Sequence, residues 1–370
     1  MGLTSAATMT TATTLAETIR VLIVDDSVVV RRLISHALAD QAGIEIVGTA
    51  NGGEAALQRI PQVNPNLVIL DIEMPDMDGL AVLARIRKLH PDIRVIMCSV
   101  LTTHRAAVTL EALMLGASDY IAKPSPDGQL AQVLESFGKE LVPKMRQLFH
   151  GAGTVAASVP SLRPRPLPVP LLVPAKPQTI HREVVAIGVS TGGPNALADL
   201  FSSLPADFAK PILIVQHMPA IFTRLLAERL KNRTGFDVVE AADGMLVEPG
   251  RAIIAAGDYH MRLERQGTQV RIRLDQGAPE NSCRPAVDVL FRSVEKTYGG
   301  AVIAVILTGM GQDGLRGVEQ LKRSGAVILA QDNKSSVVWG MPGAIADAGL
   351  ADAVLDLHAI VPAILREVGN

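Results

Sequence analysis

Aromatic side chains make up only 3% of this 370-residue chain, with a single tryptophan and three tyrosines. Its cores must therefore be aliphatic, and short runs of Val, Ile, Leu and Ala supply them as strands buried on both faces of a parallel sheet require. Cysteine is scarcer still: Cys98 and Cys283 are the only two, one in each half, and neither sits in a CxxC or Cys/His cluster. Counting alone excludes a disulfide scaffold and a structural zinc site. No sign of charge dominates, since 35 basic and 37 acidic residues give a formal net charge of -2. The clustered Lys and Arg that a nucleic-acid partner needs are missing. No apolar stretch is long enough to span a bilayer. The opening MGLTSAATMTTATTLAET has neither the charged region nor the apolar region of a secretory signal. These absences predict a soluble, cytoplasmic protein in a reducing compartment.

What is present favours two folded units. Hydrophobic residues reach 48%, and the length suits two cores better than one. Residues 1–18 are rich in Thr and Ala and read as a tail. From Ile19 onward IRVLIVDD, IEIVGTA, NLVILDIEMP, IRVIMCSV and SDYIAKP read as strands, and VVVRRLISHALAD, EAALQRI, GLAVLARIRKL and AAVTLEALMLG as the intervening helices. Alternation at this spacing predicts βαβ units and a doubly wound parallel sheet. A helix around Leu130–Phe149 closes the series. Residues 151–180 are dense in proline without helical or alternating period and read as an extended linker. A ligand for a proline-binding groove is the rarer alternative. A second βα series begins at Val184 with VVAIGVS, PILIVQHM, AVIAVILTGM and AVILAQD, and GRAIIAAGDYHMRLERQGTQVRIRLD reads as β-hairpin material inserted in that sheet.

Two groups of residues carry chemistry. Asp25 and Asp26 end the first strand, Asp71 ends the third, Ser99 closes the fourth and Lys123 follows the fifth. Carboxyl ends of parallel strands line the ligand crevice, and three carboxylates converging there call for a hard divalent cation such as Mg²⁺. Any one of these residues would ordinarily be a solvated loop residue; a set falling on successive strand ends is not. In the second half, Gly188-x-Ser190-x-Gly192 lies between a strand and a helix, the spacing of a nucleophile elbow. Gly-rich strand–helix turns also cradle phosphates, but the G-x-G-x-x-G dinucleotide fingerprint is absent. His217 ends the next strand and is the candidate base. Asp313, in the glycine-rich LTGMGQDG, is the candidate acid, with Asp332 a weaker one, and the Met310 N–H is a candidate oxyanion donor with that of Thr191 at the helix start. His260, inside the hairpin region, reads as a core histidine.

VDD, LDIEMPDMDG, Ser99 and YIAKP together resemble the response-regulator receiver pattern over roughly residues 19–140. The resemblance implies phosphorylation of Asp71 by a histidine kinase, here the chemotaxis kinase CheA. It also implies Mg²⁺ held by Asp25, Asp26 and Asp71, phosphoryl contacts from Lys123 and Ser99, and Tyr120 as a rotamer switch. GVSTGGP, IVQHMP, NSCRPAVDVLF, LTGMGQDG and WGMPG resemble the CheB protein-glutamate methylesterase family from about residue 181 to the C-terminus. The order Ser–His–Asp differs from the α/β-hydrolase order Ser–Asp–His. One departure is Cys283, where a histidine is common; it is expected to alter the substrate rim and to touch no member of the triad. The implied fold is two doubly wound α/β domains, a flavodoxin-like receiver and a mostly parallel hydrolytic domain with the inserted hairpin. The implied activity is hydrolysis of glutamate γ-methyl esters and deamidation of glutamines on methyl-accepting chemotaxis receptors, with no cofactor for that step. The receiver is expected to cover the Ser190 cleft until Asp71 is phosphorylated. The competing class is a non-enzymatic response regulator whose second half binds a partner or nucleotide.

Overall fold

The computed structural model describes residues 18–100, 102–124, 130–149 and 180–369. The tail up to residue 17 and the proline-rich stretch 151–179 lie outside the described residues.

In chain order the first unit runs β1 (Ile19–Val24), α1 (Val28–Leu38), β2 (Ile44–Ala50), α2 (Gly53–Val63), β3 (Leu67–Asp71), α3 (Gly79–Leu89), β4 (Arg94–Ser99), α4 (Thr103–Met114), β5 (Asp119–Ala122) and α5 (Leu130–Phe149). The five strands pair in parallel in the order β2-β1-β3-β4-β5. All five residues of β3 are buried, as befits a strand covered by helices on both faces. Strand order reverses between β1 and β3, which opens the crevice at their carboxyl ends. Helices start where side chains can take the orphan N–H groups: Ser27 accepts from Val30, Asp78 from Ala81 and Thr102 from Arg105. Gly79 is required because a Cβ there would lie 2.2 Å from the Asp71 carbonyl oxygen. The loop from β3 thus folds straight back over the strand end.

The second unit runs β6 (Val184–Val189), α6 (Gly193–Ser203), β7 (Ile212–Gln216), α7 (Ala220–Thr234), β8 (Asp237–Glu240), β9 (Arg251–Ile254), β10 (His260–Gln266), β11 (Gln269–Asp275), α8 (Val287–Tyr298), β12 (Val302–Ile306), α9 (Leu315–Arg323), β13 (Val327–Gln331), α10 (Met341–Asp347), β14 (Ala353–Leu355) and α11 (Leu357–Gly369). Seven strands form a parallel sheet in the order β14-β13-β12-β6-β7-β9-β8. The hairpin reading divides here. β9 joins the large sheet, whereas β10 and β11 pair antiparallel as a separate ribbon. That ribbon packs on α8 through buried Met261 and Ile272, and Leu263 N–H donates to Ser293 Oγ at 2.6 Å. Chain direction across the large sheet reverses at β6, so the ends of β6, β7 and β12 surround one crevice.

The two units touch. Helix α4 lies against α6 and α7, and the Tyr120 and Phe222 rings meet at 4.9 Å. Arg229 Nη2 on α7 donates to the Ala107 carbonyl at 3.0 Å and to Glu111 Oε2 at 3.3 Å. Buried apolar side chains of α4 and α6, such as Leu110 and Leu197, belong to one continuous cluster, and each fully buried Leu of this kind contributes about 1.5–3 kcal/mol.

Candidate active site and acidic pocket

Ser190 stands just past β6, with its N–H donating to the Thr308 carbonyl at 3.0 Å and its own carbonyl accepting from Gly193 N–H at 2.8 Å. Gly192, at φ 79°, takes the left-handed conformation that turns the chain into α6. His217 follows β7, and its N–H donates to the Val189 carbonyl at 3.1 Å. Gln216 ties the two strand ends together: its Nε2 donates to the carbonyls of Ser190 at 2.9 Å and His217 at 3.3 Å. A Cβ on Gly193 would sit 1.8 Å from Gln216 Oε1, so the second glycine of STGGP makes room for that carboxamide. Neither Gln216 nor its partner glycine was singled out from the sequence, because a Gln inside a buried strand carries no spacing signal.

Asp313 lies in the loop between β12 and α9, and its Oδ2 is 2.8 Å from His217 Nε2. The same carboxylate accepts from Val287 N–H at 2.7 Å and Asp288 N–H at 3.0 Å, so it also caps α8. Asn281 Nδ2 completes the set, donating to Asp313 Oδ1 at 2.8 Å and to Asp288 Oδ2 at 3.0 Å. Burial works against the charge on Asp313, but the His217 bond and the N–H donors hold it below the usual carboxylate range. Asp332 is elsewhere: its carboxylate accepts from the N–H and hydroxyl of Ser335. His260 is fully buried, with Nε2 against the Ala278 carbonyl.

Burial pulls His217 down, yet the Asp313 bond and the Cys283 sulfur outweigh it and raise its pKa to about 9. The expectation that Cys283 touches no member of this group is therefore corrected. Residues 280–283 form a tight turn, closed by paired backbone hydrogen bonds between Glu280 and Cys283, with Asn281 and Ser282 at φ 52° and 62°. Asn281 anchors the turn to Asp313, which keeps Cys283 close enough to favour the charged imidazole. Nε2 being engaged by Asp313, Nδ1 is the ring nitrogen that this bond leaves to another partner.

Gly309 backs directly onto the serine, since a Cβ there would come within 2.8 Å of Ser190 Cβ and 2.6 Å of Met341 Sδ. Met310 is the next residue along. Among the described residues the N–H groups of Thr191 and Met310 have no acceptor. The Thr191 hydroxyl donates to Asp119 Oδ2 of the first unit at 3.2 Å.

In the first unit Asp25, Asp71 and Ser99 are buried and Asp26 is exposed. Carboxylate oxygens of Asp25, Asp26 and Asp71 lie within 4.8 Å of one another. Lys123 Nζ reaches Asp25 Oδ2 at 2.8 Å and Asp71 Oδ2 at 2.7 Å. Burial lifts the Asp71 carboxyl to about 6, against the pull of Lys123 and with the Asp25 charge adding to the rise. Three hard oxygen donors with one ammonium between them suit a small divalent cation. The Ser99 hydroxyl turns to the Val100 carbonyl at 3.3 Å. Tyr120 faces the other unit rather than this pocket.

A parallel sheet bearing an acid-and-lysine crevice, followed by a second whose strand ends gather serine, histidine and aspartate, defines a receiver-type module joined to one with hydrolase geometry. Comparison with known proteins narrows that class. Residues 21–135 match the model of the response regulator receiver domain, and residues 185–364 match that of the CheB methylesterase. A protein-glutamate methylesterase/protein-glutamine glutaminase of Trichodesmium erythraeum is 50% identical over 95% of this chain and 99% of its own length. One from a Nocardioides species is 46% identical over 95% of this chain and 96% of its own length. The solved CheB methylesterase catalytic domain of Thermotoga maritima is 41% identical, covering 50% of this chain and 99% of that one, with a TM-score of 0.49. The chain belongs to the CheB methylesterase family, in the form that carries a receiver domain ahead of the methylesterase domain.

Proposed function

We propose that this chain is a phosphorylation-controlled serine esterase that hydrolyses glutamate γ-methyl esters, and deamidates glutamines, on methyl-accepting chemotaxis receptors. The observation that carries this reading is the 2.8 Å bond from His217 Nε2 to Asp313 Oδ2 beside Ser190, in a chain whose curated relatives bear the names protein-glutamate methylesterase and protein-glutamine glutaminase. Ser190 Oγ attacks the ester carbonyl while His217 Nδ1 takes its proton. The N–H groups of Thr191 and Met310 receive the oxyanion. The imidazolium gives the proton to the departing methoxy oxygen, or to the amide nitrogen of a glutamine, so that methanol or ammonia leaves as its bond to the acyl carbon breaks. Water then clears the acyl-enzyme by the same route. Asp313 holds the ring and supports its charge. A fluorophosphonate probe tests the assignment: it labels Ser190 in the native protein and not after Ser190→Ala, and a Ser190→Ala protein with full esterase activity overturns it.

The switch half of the proposal places the phosphoryl group from a kinase such as CheA on Asp71. Asp25, Asp26 and Asp71 would hold Mg²⁺, which neutralises charge during phosphoryl transfer. Lys123 binds phosphoryl oxygens, Ser99 turns its hydroxyl to them and Tyr120 follows. Control is read from the contact between units, where Asp119 reaches Thr191, the neighbour of the nucleophile. The unphosphorylated receiver blocks receptor access, and deleting residues 1–178 raises demethylation of a methylated receptor, measured as methanol release. No rise refutes the inhibitory role.

A further inference from the structure

We propose that Arg105 is a phosphoryl-binding residue, held off by Glu73 until Asp71 is phosphorylated. The inference rests on the reading of Asp71 as the phosphoacceptor. A cavity of about 200 Å³ opens above Asp71, lined among others by Asp26, Glu73, Ser99, Arg105 and Lys123. It contains two cations. Lys123 is already shared between Asp25 and Asp71. Arg105 instead crosses the mouth from α4 to Glu73, with Nη2 2.5 Å from Oε2.

That pair is replaceable. Its side chains are 34% and 55% exposed, so solvent screens their attraction. A phosphoryl group on Asp71 places a dianion with three acceptor oxygens in the same cavity, and a guanidinium binds such a group through a charge-assisted fork. The Arg105 backbone stays in place, because its N–H is held by the Thr102 hydroxyl and its carbonyl by Thr109. The exchange therefore needs only rotamer changes of one side chain. Glu73 must release Arg105 for it to occur, so Glu73 acts as a competitor.

The location adds a reason for the device. Two residues along α4 from Arg105 is Ala107, whose carbonyl is gripped by Arg229 of the methylesterase domain, and one turn further is Glu111, which the same Arg229 reaches. A pull on Arg105 thus acts on the helix that meets the partner domain.

The test uses full-length protein with beryllofluoride and Mg²⁺ as the phosphoryl stand-in, with affinity read by ¹⁹F NMR or calorimetry, and Mg²⁺ alone as control. Arg105→Ala weakens beryllofluoride binding about tenfold or more while Mg²⁺ affinity changes little. Glu73→Gln tightens beryllofluoride binding, and adding Arg105→Ala to it abolishes the gain. Arg105→Gln, closer in shape, gives the same loss and serves if the alanine protein folds poorly. Native beryllofluoride affinity in either Arg105 variant overturns the proposal, as does a double variant that keeps the Glu73→Gln gain. Asp71→Asn separates the two readings: binding that survives this change removes the phosphoacceptor assignment, whereas its loss alongside native-like Arg105 variants removes only the Arg105 proposal.

Discussion

Replacing Asp313 by Asn tests the most quantitative property of the site, the pH at which the His217 imidazolium loses its proton. The imidazole is buried, which alone would favour its neutral form, yet it is held at about 9 against an ordinary 6.5 by Asp313 and then Cys283. At about 1.4 kcal/mol per pH unit, that difference is a net preference for imidazolium of about 3 kcal/mol. Only on the order of 1% of molecules then carry a neutral His217 at pH 7. The rate at which a fluorophosphonate labels Ser190 should accordingly climb close to tenfold per pH unit from 7 and level off above 9. This assay needs no receptor and reads the base directly. In Asp313→Asn, burial is no longer opposed by a carboxylate at 2.8 Å, so the midpoint falls well below that of the native protein. The plateau also drops by roughly 10³-fold or more, because an amide cannot hold the required tautomer. Stability follows with a defined sign. A raised folded value means the pair's contribution is complete below 6.5 and disappears as pH rises through 9, so the native protein loses more of its Tm over that interval than the variant. A labelling profile already flat at pH 7, or the same midpoint in both proteins, refutes the reasoning.

Cys283→Ala removes the second group supporting the imidazolium and should lower the labelling midpoint, by less than Asp313→Asn does, with the plateau nearly unchanged; an unmoved midpoint denies the contact. Asp71 is lifted from 3.8 to about 6 by burial, so its charge destabilises the fold by up to about 3 kcal/mol above pH 6 and by nothing below pH 4. Asp71→Asn should therefore raise Tm at pH 7.5 but not at pH 4, and Mg²⁺ should raise the Tm of the native protein more than that of the variant. Gly193→Ala drives a methyl into Gln216 and should cost about 1–3 kcal/mol in denaturant unfolding, with kcat/KM falling as the Ser190–His217 spacing loosens. A variant as stable and as active as the native protein would show that Gln216 has slack.

Both parallel sheets, and most of the polar residues at or just past their strand ends, could be read from the amino-acid order, and for one reason. Buried strands announce themselves by composition, and a polar residue at the end of such a run has only one place to go. Asp25, Asp71, Lys123, Ser190 and His217 stand out this way, whereas Asp313, further past β12, stands out by the glycine-rich loop that carries it. What spacing does not encode is the hydrogen bond between distant loops. Asn281 looks like any polar turn residue until its two carboxylate partners are in view, and Gln216 looks like a lapse in an apolar strand. The contact of Cys283 with His217 stayed hidden because it depends on the direction of a tight turn with two consecutive positive φ values. The ribbon of β10 and β11 was legible as a hairpin, but its packing on α8 instead of the large sheet was decided by tertiary contacts. The meeting of Asp119 with Thr191 is likewise a property of how the two domains dock.

In Asp313 a single carboxylate serves both the imidazole and the first turn of α8. Chemistry and architecture share an anchor there. The aspartate cannot rotate toward some other partner without uncapping a helix whose inner face is packed into the domain core through Val287, Leu290, Phe291 and Val294. The placing of the imidazole is thus inherited from secondary structure, and a molecule with intact packing at α8 holds Asp313 where it meets His217. On heating, loss of Ser190 labelling and loss of helical signal should run as one transition, with no population that is folded but chemically mute.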